Sequence, residues 1–302
     1  MFAKHDKLAI GVDLGGTNIR AALVTINGEI LSQKQMATPA EDGRLAPPHI
    51  LIDAINDCVY PLLNQGNVSG IGIGSGGQFN PQTGNMLGVH TEEPEFINVP
   101  FASLLEDKLS LPVFVDNDVK AAAFAELKCG AGEKYKHIIC VAVGTFIGGA
   151  LIMDGQLVHG TNGLAGHLGQ LMDFQTGQYI EDIAGGIPIA KRAIQQGILK
   201  QNQTTEDLFH IARAGNEDAQ KFIQNTGKTL GIALAGLAHF IQPEVFLIGG
   251  TVGIQTEYLE AINLGLAENL MKNWQSIRAT PMKLGTNAAQ IGAALRVFDE
   301  IG

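Results

Sequence analysis

Short apolar runs separated by glycine turns open the chain, and they lie at residues 8–12, 19–26 and 29–31. Asp13 and the Gly15-Gly16 pair follow the first run, and Asn27-Gly28 separates the second run from the third. An Asn-Gly pair between two apolar runs is typical of a tight β-hairpin. The pattern predicts a strand, a glycine turn, a second strand, a hairpin and a third strand.

The same layout recurs later in the chain, with apolar runs at residues 138–143, 147–153 and 156–158. Gly144-Thr145 takes the place of the first glycine turn, and Asp154-Gly155 takes the place of the hairpin. Two glycine turns at equivalent places in two β units suggest a duplicated architecture. Each half of such a fold would offer a backbone loop to one ligand.

The segments between and after these units alternate between helical and strand patterns. Apolar residues at helical spacing predict helices at residues 50–63, 119–127, 187–195, 205–214, 218–240, 258–273 and 290–298. Short apolar runs predict further strands at residues 70–74, 113–115, 245–249 and 282–284. Because strands and helices alternate along the chain, the sequence predicts an α/β protein.

Composition narrows the class of protein. A length of 302 residues makes two domains a fair expectation, and 45% hydrophobic with 17% charged residues is typical of a compact folded chain. The net charge of −10 argues against a protein that binds a nucleic-acid backbone, which needs clustered Lys and Arg. No apolar run approaches the roughly 20 residues of a membrane helix. Met1 to Asp6 lacks the basic start of a signal segment, so a cytoplasmic location is expected.

The first candidate motif is Asp13-Leu14-Gly15-Gly16-Thr17-Asn18, which ends one predicted strand and turns into the next. Its glycines permit close backbone approach, and its amides and the Thr17 hydroxyl can bind phosphate oxygens. Asp13 could then hold a hydrated magnesium ion. The alternative interpretation is a tight hairpin with an aspartate on the surface.

The second candidate motif is Asp116-Asn117-Asp118, which closes a predicted strand and opens a helix. A carboxylate at this place can cap the helix, or it can act as a general base. A hydroxyl that attacks phosphorus needs a carboxylate within hydrogen-bond reach, and Asp118 is the candidate for that function. Asn117 could bind a neighbouring sugar hydroxyl.

The third candidate is the turn of Gly249 and Gly250, which ends a predicted strand where a nucleotide could lie against the backbone. Two other patterns are discarded. The glycines at residues 72, 74 and 77 fit a dinucleotide-binding spacing, but Asn80-Pro81 follows them where a helix should begin. Gly227-Lys228-Thr229 resembles the end of a P-loop but lies in a helical pattern, so Lys228 is expected to be a solvated helix residue. The three widely spaced cysteines, Cys58, Cys129 and Cys140, predict reduced thiols.

In this order the motifs resemble the ROK family (repressors, open reading frames, kinases) of bacterial sugar kinases. The resemblance covers nearly the whole chain, through the motifs already named and further segments at residues 73–77, 98–100, 144–145, 166–167, 180–181, 243–250 and 291–294. It implies a two-domain, actin-like ATPase (ribonuclease H-like) fold with a cleft between the domains. We therefore expect an N-terminal domain at residues 1–118, a larger domain at 119–288 and a final helix at 289–302 that returns to the first domain.

The resemblance also implies functions for individual residues. Those expected to bind ATP phosphates and magnesium, the metal through Asp13 and water, are Asp13, Gly15, Gly16, Thr17 and Asn18. A second phosphate loop would consist of Gly144 and Thr145, and the residues near adenosine would be Gly249 and Gly250. The residues expected to contact the sugar are Gly77, Asn98, Asn117, Asp118, His167 and Glu181, with Asp118 as the base.

Three departures from the family pattern qualify these expectations. Leu168 to Ile180 contains no Cys or His, so the zinc site common in the family is not expected. His167 is then left either to a sugar hydroxyl or to a structural hydrogen bond. Leu164 stands where a carboxylate is expected to face the anomeric end of the sugar, and Phe146 replaces a glycine after Gly144-Thr145. These two changes predict an altered sugar preference and altered nucleotide handling.

The leading hypothesis is phosphoryl transfer from MgATP to a hexose or hexosamine hydroxyl, most often the 6-hydroxyl in this family, by a protein that is a homodimer. A catalytically weak or inactive sugar-binding regulator is the alternative. It would have to act through a protein partner, because the first motif begins only a dozen residues from Met1 and leaves no room for a DNA-binding domain. Another actin-like ATPase, such as a chaperone or a filament protein, is a third hypothesis, against which the sugar-type residues speak.

Overall fold

The computed structural model of the protein describes residues 7–41, 44–88, 94–274 and 276–302. The expectation about a signal segment at Met1 to Asp6 lies outside these ranges. Within them the strands are β1 (Leu8–Leu14), β2 (Asn18–Thr25), β3 (Ile30–Ala37), β4 (Ala40–Glu41), β5 (Arg44–Leu45), β6 (Val68–Ser75), β7 (Gln78–Phe79), β8 (Met86–Gly88), β9 (Val113–Asn117), β10 (Ile138–Val143), β11 (Ile147–Met153), β12 (Gln156–Val158), β13 (Val245–Gly249) and β14 (Ala279–Pro281).

The α-helices in the same ranges are α1 (Pro48–Leu63), α2 (Phe101–Leu109), α3 (Asp118–Cys129), α4 (Ile180–Ala184), α5 (Gly186–Gln195), α6 (Thr205–Arg213), α7 (Glu217–Ile241), α8 (Thr256–Asn269) and α9 (Ala288–Ile301). Short 3₁₀ helices lie at Pro94–Phe96, Leu168–Gln170, Lys272–Trp274 and Gly285–Asn287. Among the described residues, no helix combines the length and the apolar character needed to cross a membrane.

The predicted duplication takes the form of two sheets with equivalent strand orders, β3-β2-β1-β6-β9 and β12-β11-β10-β13-β14. In each sheet the opening hairpin is antiparallel, and the strand that follows pairs in parallel with the first strand. The hairpin between β11 and β12 turns through Asp154 (φ 52°) and Gly155 (φ 74°). Two left-handed residues are what a type I′ turn requires, which explains the choice of an Asp-Gly pair.

The chain forms two compact units. Unit 1 contains the described residues up to Glu133 together with Leu157–Ala165 and Thr286–Gly302. Unit 2 contains Lys134–Gln156 and Gly166–Gly285.

Helix α3 lies in unit 1, whereas the sequence places a domain boundary before residue 119. The reason is the packing of α3 against α9. A Cβ on Gly292 would lie 1.7 Å from the Ala121 carbonyl oxygen, so the two helices approach to backbone contact only because residue 292 is a glycine. The final helix, α9, also lies in unit 1.

Unit 1 places helices on both faces of its sheet. Apolar residues of α1 and α2 pack with Leu8, Ile10 and Val12 on one face, whereas α9 packs on Ala9 and its neighbours on the other. Glycines allow α9 to lie directly on the strands. A Cβ on residue 72 would lie 1.8 Å from the Ala293 carbonyl oxygen. The glycine at residue 72 is therefore a packing requirement, in agreement with the rejection of a dinucleotide turn.

The remaining minor expectations have clear outcomes. Lys228 lies in α7, where its ammonium group is 2.5 Å from the Glu268 carboxylate, so it is a surface helix residue as predicted. All three cysteines are free thiols, also as predicted. The strand predicted at residues 282–284 is wrong, because β14 ends at Pro281. Helices α2 and α4 were not predicted.

Candidate active site

The β1–β2 turn of unit 1 exposes its backbone while its ends are held in place. The Gly15 amide donates to the Asn18 carbonyl at 3.0 Å, and the Thr38 hydroxyl donates to the Gly15 carbonyl at 2.6 Å. Gly16 and Thr17 are exposed, and a Cβ on Gly16 would meet no atom within 4 Å. The protein itself does not fill the space beside Gly16, so the turn is open to the close approach of a ligand.

Asp13, near the end of β1, is a largely buried carboxylate, 19% exposed, whose pKa is raised from its ordinary value of 3.8 to about 6. Burial is the main cause, because a charge is less stable away from water. Repulsion from the Asp118 carboxylate is the second cause, and Arg20, 3.9 Å away, acts in the opposite direction. Two of the predicted site residues, Asp13 and Asp118, are thus brought together, although they lie far apart in sequence.

Asp118 is the first residue of α3, and the helix cap is its neighbour Asn117. The Asn117 side-chain oxygen accepts from the Val119 amide at 3.0 Å and from the Lys120 amide at 3.3 Å. Asp118 Oδ1 accepts from the Val119 amide at 2.8 Å. The capping function considered for the carboxylate is therefore carried by the asparagine, at the position that most favours it.

Gly77 lies beside Asn117, whose side-chain amide donates to the Gly77 carbonyl at 3.2 Å. Gly77 has φ +120°, a conformation that favours glycine. All three of these side-chain hydrogen bonds of Asn117 thus serve the local structure, and its second amide hydrogen is the group that could contact a sugar. Asn98 is an exposed turn residue with φ 58°, which asparagine tolerates better than most residues.

In unit 2 the loop at Gly144 and Thr145 lies against the start of α5. The Gly186 amide donates to the Gly144 carbonyl at 2.9 Å, and the Ile187 amide donates to the Thr145 carbonyl at 3.1 Å. The Gly144 amide donates to the Phe146 carbonyl at 3.0 Å, and the Phe146 side chain is 43% exposed. The aromatic ring therefore extends from the loop instead of filling the core.

A cleft of about 800 Å³ adjoins this loop within unit 2. Its walls are the loop, helices α5 and α6, and the turn after β13. The residues of that turn which line it are Thr251, Val252, Ile254 and Gln255. The volume is within the range of small-molecule sites, and both hydroxyl groups and apolar side chains are available on its surface.

Gly249 and Gly250 determine the course of the turn that lines this cleft. Gly250 has φ +80°, and a Cβ there would lie 2.3 Å from the Val143 carbonyl oxygen. That same oxygen accepts from the Val252 and Gly253 amides. The two glycines thus position the turn that lines the cleft, which gives them a structural reason in addition to the predicted proximity to adenosine.

Glu181, in the first turn of α4, connects three parts of unit 2. Its Oε2 accepts from the Ile147 amide at 3.2 Å, directly after the Gly144 loop, and its Oε1 accepts from the Gln170 side chain at 3.1 Å. The backbone amide of Gln170 in turn donates to the His167 carbonyl at 3.1 Å. Gln170 is an exposed candidate that the sequence reasoning missed. Its signal was a polar side chain three residues after His167, in a segment that we considered only for the absence of Cys and His.

The segment after Gln170, where the sequence predicts no zinc site, forms a hairpin through Met172 and Tyr179. Asp173 closes it. The Asp173 carboxylate accepts from the Thr176 hydroxyl at 2.6 Å and from the Thr176 amide at 3.2 Å, and the Asp173 carbonyl accepts from the Gly177 amide at 2.8 Å. An Asx turn thus holds this hairpin by hydrogen bonds.

The donor set of unit 1 fits magnesium held through phosphate. In the described part of the chain, no group of three or more His, Cys, Asp and Glu could hold a metal ion. Magnesium, however, commonly uses one or two carboxylates together with water and substrate phosphates, and it does not need a cage made entirely of protein. The Asp13 carboxylate, largely buried beside an open backbone turn, has this chemistry.

Comparison with known proteins places these features in a family. The ROK family model matches residues 9–300. A glucokinase of Halalkalibacterium halodurans is 30% identical over 82% of this chain and 81% of its own length. An N-acetylmannosamine kinase of Escherichia coli is 30% identical over 86% of this chain and 88% of its own. The crystal structure of a ROK family glucokinase from Streptomyces griseus, in complex with glucose and AMPPNP, superposes with a TM-score of 0.80 at 27% identity, covering 95% of this chain and 98% of that one. The chain belongs to the ROK family.

Proposed function

We propose that this protein transfers the γ-phosphoryl group of ATP to a hydroxyl of a hexose or hexosamine, the 6-hydroxyl in the first instance. The coarser statement, that the chain is a sugar kinase, rests on family membership and on similarity to proteins named as kinases. The finer assignment rests on the residues of the two units.

The observation that carries the proposal is the position of Asp118. It stands at the start of α3 and close enough to Asp13 to raise the pKa of that carboxyl group. Asp118 accepts the proton of the sugar hydroxyl while the oxygen forms its bond to the γ-phosphorus and the bond from phosphorus to the β-phosphate oxygen breaks. The products are the sugar phosphate and ADP. Positioning of the reactants and stabilisation of charge supply most of the rate enhancement in such reactions.

The nucleotide is assigned to unit 2. The cleft of about 800 Å³ has room for adenosine, and Gly144 and Thr145 at its edge offer a backbone loop to phosphates. In unit 1, the turn of Gly16 and Thr17 offers exposed backbone that can also bind phosphates. Asp13 is the residue that would hold a magnesium ion through water, and such an ion would neutralise phosphate charge.

The sugar is assigned to the polar residues around Asp118 in unit 1, and the family resemblance adds Glu181 as an expected contact. Each Glu181 oxygen already accepts one hydrogen bond, and it retains a lone pair for a sugar hydroxyl. Leu164 is 39% exposed and provides an apolar surface where the family pattern has a carboxylate. An apolar contact rejects hydroxyl analogues weakly, so we expect a broader choice of sugar around the anomeric carbon.

The decisive experiment is Asp118→Ala, measured with a panel of hexoses and hexosamines by a coupled assay of ADP release. Turnover should fall by about a hundredfold or more, because a general base contributes roughly a hundred- to ten-thousandfold. Sugar binding measured by calorimetry should persist. Asp57→Ala is the matched control, since Asp57 is an exposed carboxylate on α1 of the same unit.

Near-normal turnover of Asp118→Ala would contradict the assignment of the base. If the unmodified protein binds a sugar but releases no ADP with any member of the panel, the sugar-binding regulator is the better interpretation.

A further inference from the structure

A short segment of the chain, residues 157–165, belongs to unit 1 although the chain on both sides of it belongs to unit 2. We call it the inserted loop. It is closed on itself, because the Ala165 amide donates to the His159 carbonyl at 2.9 Å. The loop includes Leu164, and His167 is the second residue after its end. It therefore carries or adjoins residues assigned to the acceptor sugar.

The first attachment of the inserted loop is the contact between His159 and Asp116. His159 Nε2 lies 2.6 Å from Asp116 Oδ2, and the two side chains are only 17% and 14% exposed. The other Asp116 oxygen, Oδ1, accepts from the Asn117 amide at 2.8 Å. A single carboxylate thus binds the loop on one side and the residue that caps α3 on the other.

The second attachment is a buried lysine. Lys120, in the first turn of α3, is 2% exposed, and its ammonium group donates to the Gly163 carbonyl of the inserted loop. Burial lowers the pKa of Lys120, and the Asp116 charge opposes that change. Lysine is rarely buried unless its ammonium group has a partner, so this side chain has a specific function at this place.

Gly163 is held on its other side as well. It has φ +76°, and a Cβ there would lie 2.2 Å from the Phe79 carbonyl oxygen. The loop backbone therefore lies between β7 and the end of the Lys120 side chain. Leu164 comes next in the chain, so this attachment determines where its side chain is presented.

Both attachments come from residues that flank the proposed base, since Asp116 precedes Asp118 by two positions and Lys120 follows it by two. We infer that Lys120 and the Asp116–His159 pair are positioning residues. They hold the inserted loop, and with it the acceptor sugar, in a fixed position relative to Asp118. This inference rests on the proposed function. These residues act on the acceptor and not on adenosine, because the cleft assigned to adenosine is built from residues of unit 2.

The test compares Lys120→Met with Lys128→Met. Methionine is one atom shorter than lysine and keeps most of its apolar stem, but it removes the donor. Lys128 lies on the same helix, at the surface, 3.5 Å from Asp299, and it is the matched control. For Lys120→Met the KM for the sugar should rise about tenfold or more, the effect of losing a hydrogen bond from a charged group, with the KM for ATP within about twofold.

His159 provides an independent pair of variants. His159→Leu removes the polar contact with Asp116, whereas His159→Gln retains an N–H donor and should recover most of the sugar affinity. An equal rise in both KM values, or a loss of thermal stability without a change in the KM for the sugar, would show a merely structural function and overturn the inference.

Hydrogen exchange at residues 157–165 separates this inference from the proposed function, because it needs no activity. Exchange should accelerate in Lys120→Met and stay at the wild-type rate in Lys128→Met. Unchanged exchange in Lys120→Met would overturn the inference even in an active kinase. If the protein phosphorylates no sugar, the proposed function fails, while accelerated exchange would still support the attachment of the loop.

Discussion

Asp13→Asn should make the protein more stable while it abolishes turnover. The pKa of Asp13 is raised from 3.8 to about 6, mainly by burial. Because the folded-state value lies above the unfolded-state value, the folded protein binds the proton more tightly. Stability is therefore lost as the pH rises from about 4 through about 6, and the loss is complete above that range. An asparagine at this position does not ionise and avoids the loss.

The size of the effect follows from the shift. A difference of about 2 pKa units at 1.36 kcal/mol per unit corresponds to about 3 kcal/mol near neutral pH. At pH 5 the same relation leaves a loss of about 1.5 kcal/mol, because Asp13 is then mostly protonated in the folded protein. The free-energy advantage of Asp13→Asn should thus grow by roughly 1.5 kcal/mol between pH 5 and pH 7.5.

Urea unfolding at the two pH values, followed by circular dichroism without nucleotide or magnesium, measures this difference. Asp57→Asn, at an exposed site on α1 of the same unit, is the matched control. In an Asp118→Asn background the advantage should shrink, because the Asp118 charge is the second cause of the shift. A gain that is the same at both pH values, or a loss of stability at pH 7.5, would refute the reasoning.

Two further predictions concern unit 2. Gly250→Ala should lower the free energy of unfolding by about 3 kcal/mol, because the new Cβ adds an overlap with the Val143 carbonyl to the cost of a left-handed φ. Gly155 is equally left-handed but lies in open space, so Gly155→Ala should lower the free energy of unfolding by roughly 1 kcal/mol. Equal melting temperatures for these two variants would exclude the steric argument. Gln170→Ala should raise the KM for the sugar by about three- to tenfold, because Glu181 loses the donor that orients it, and leave the KM for ATP unchanged. Steady-state kinetics would disprove this if the KM for the sugar did not change.

Local patterns predicted most of the elements because their signals lie within a few residues. The Asn-Gly and Asp-Gly hairpins and the long helix α7 are of this kind. The failures have local reasons too. Helix α4 has only five residues, Ile180–Ala184, too few for a periodic signal. The three-residue edge strand Ala279–Pro281 is set by its pairing with β13 and not by its own composition. Helix α2 does carry a helical pattern, with buried residues at 101, 105 and 109, and the prediction missed it.

The sequence by itself determined the α/β class, the order of the loops and the identity of Asp118 as the candidate base, since these depend on residue types at short spacing. Only the tertiary structure decided which groups share an environment. The raised pKa of Asp13 comes first from its burial and then from the Asp118 charge, and the burial of Lys120 needs the Gly163 carbonyl. The hydrogen bonds that Glu181 accepts need the Gln170 side chain and the Ile147 amide beside it. Desolvation, charge repulsion and hydrogen bonding act through distances of a few ångströms, and such distances between residues far apart in the chain exist only after the sheets and helices have packed.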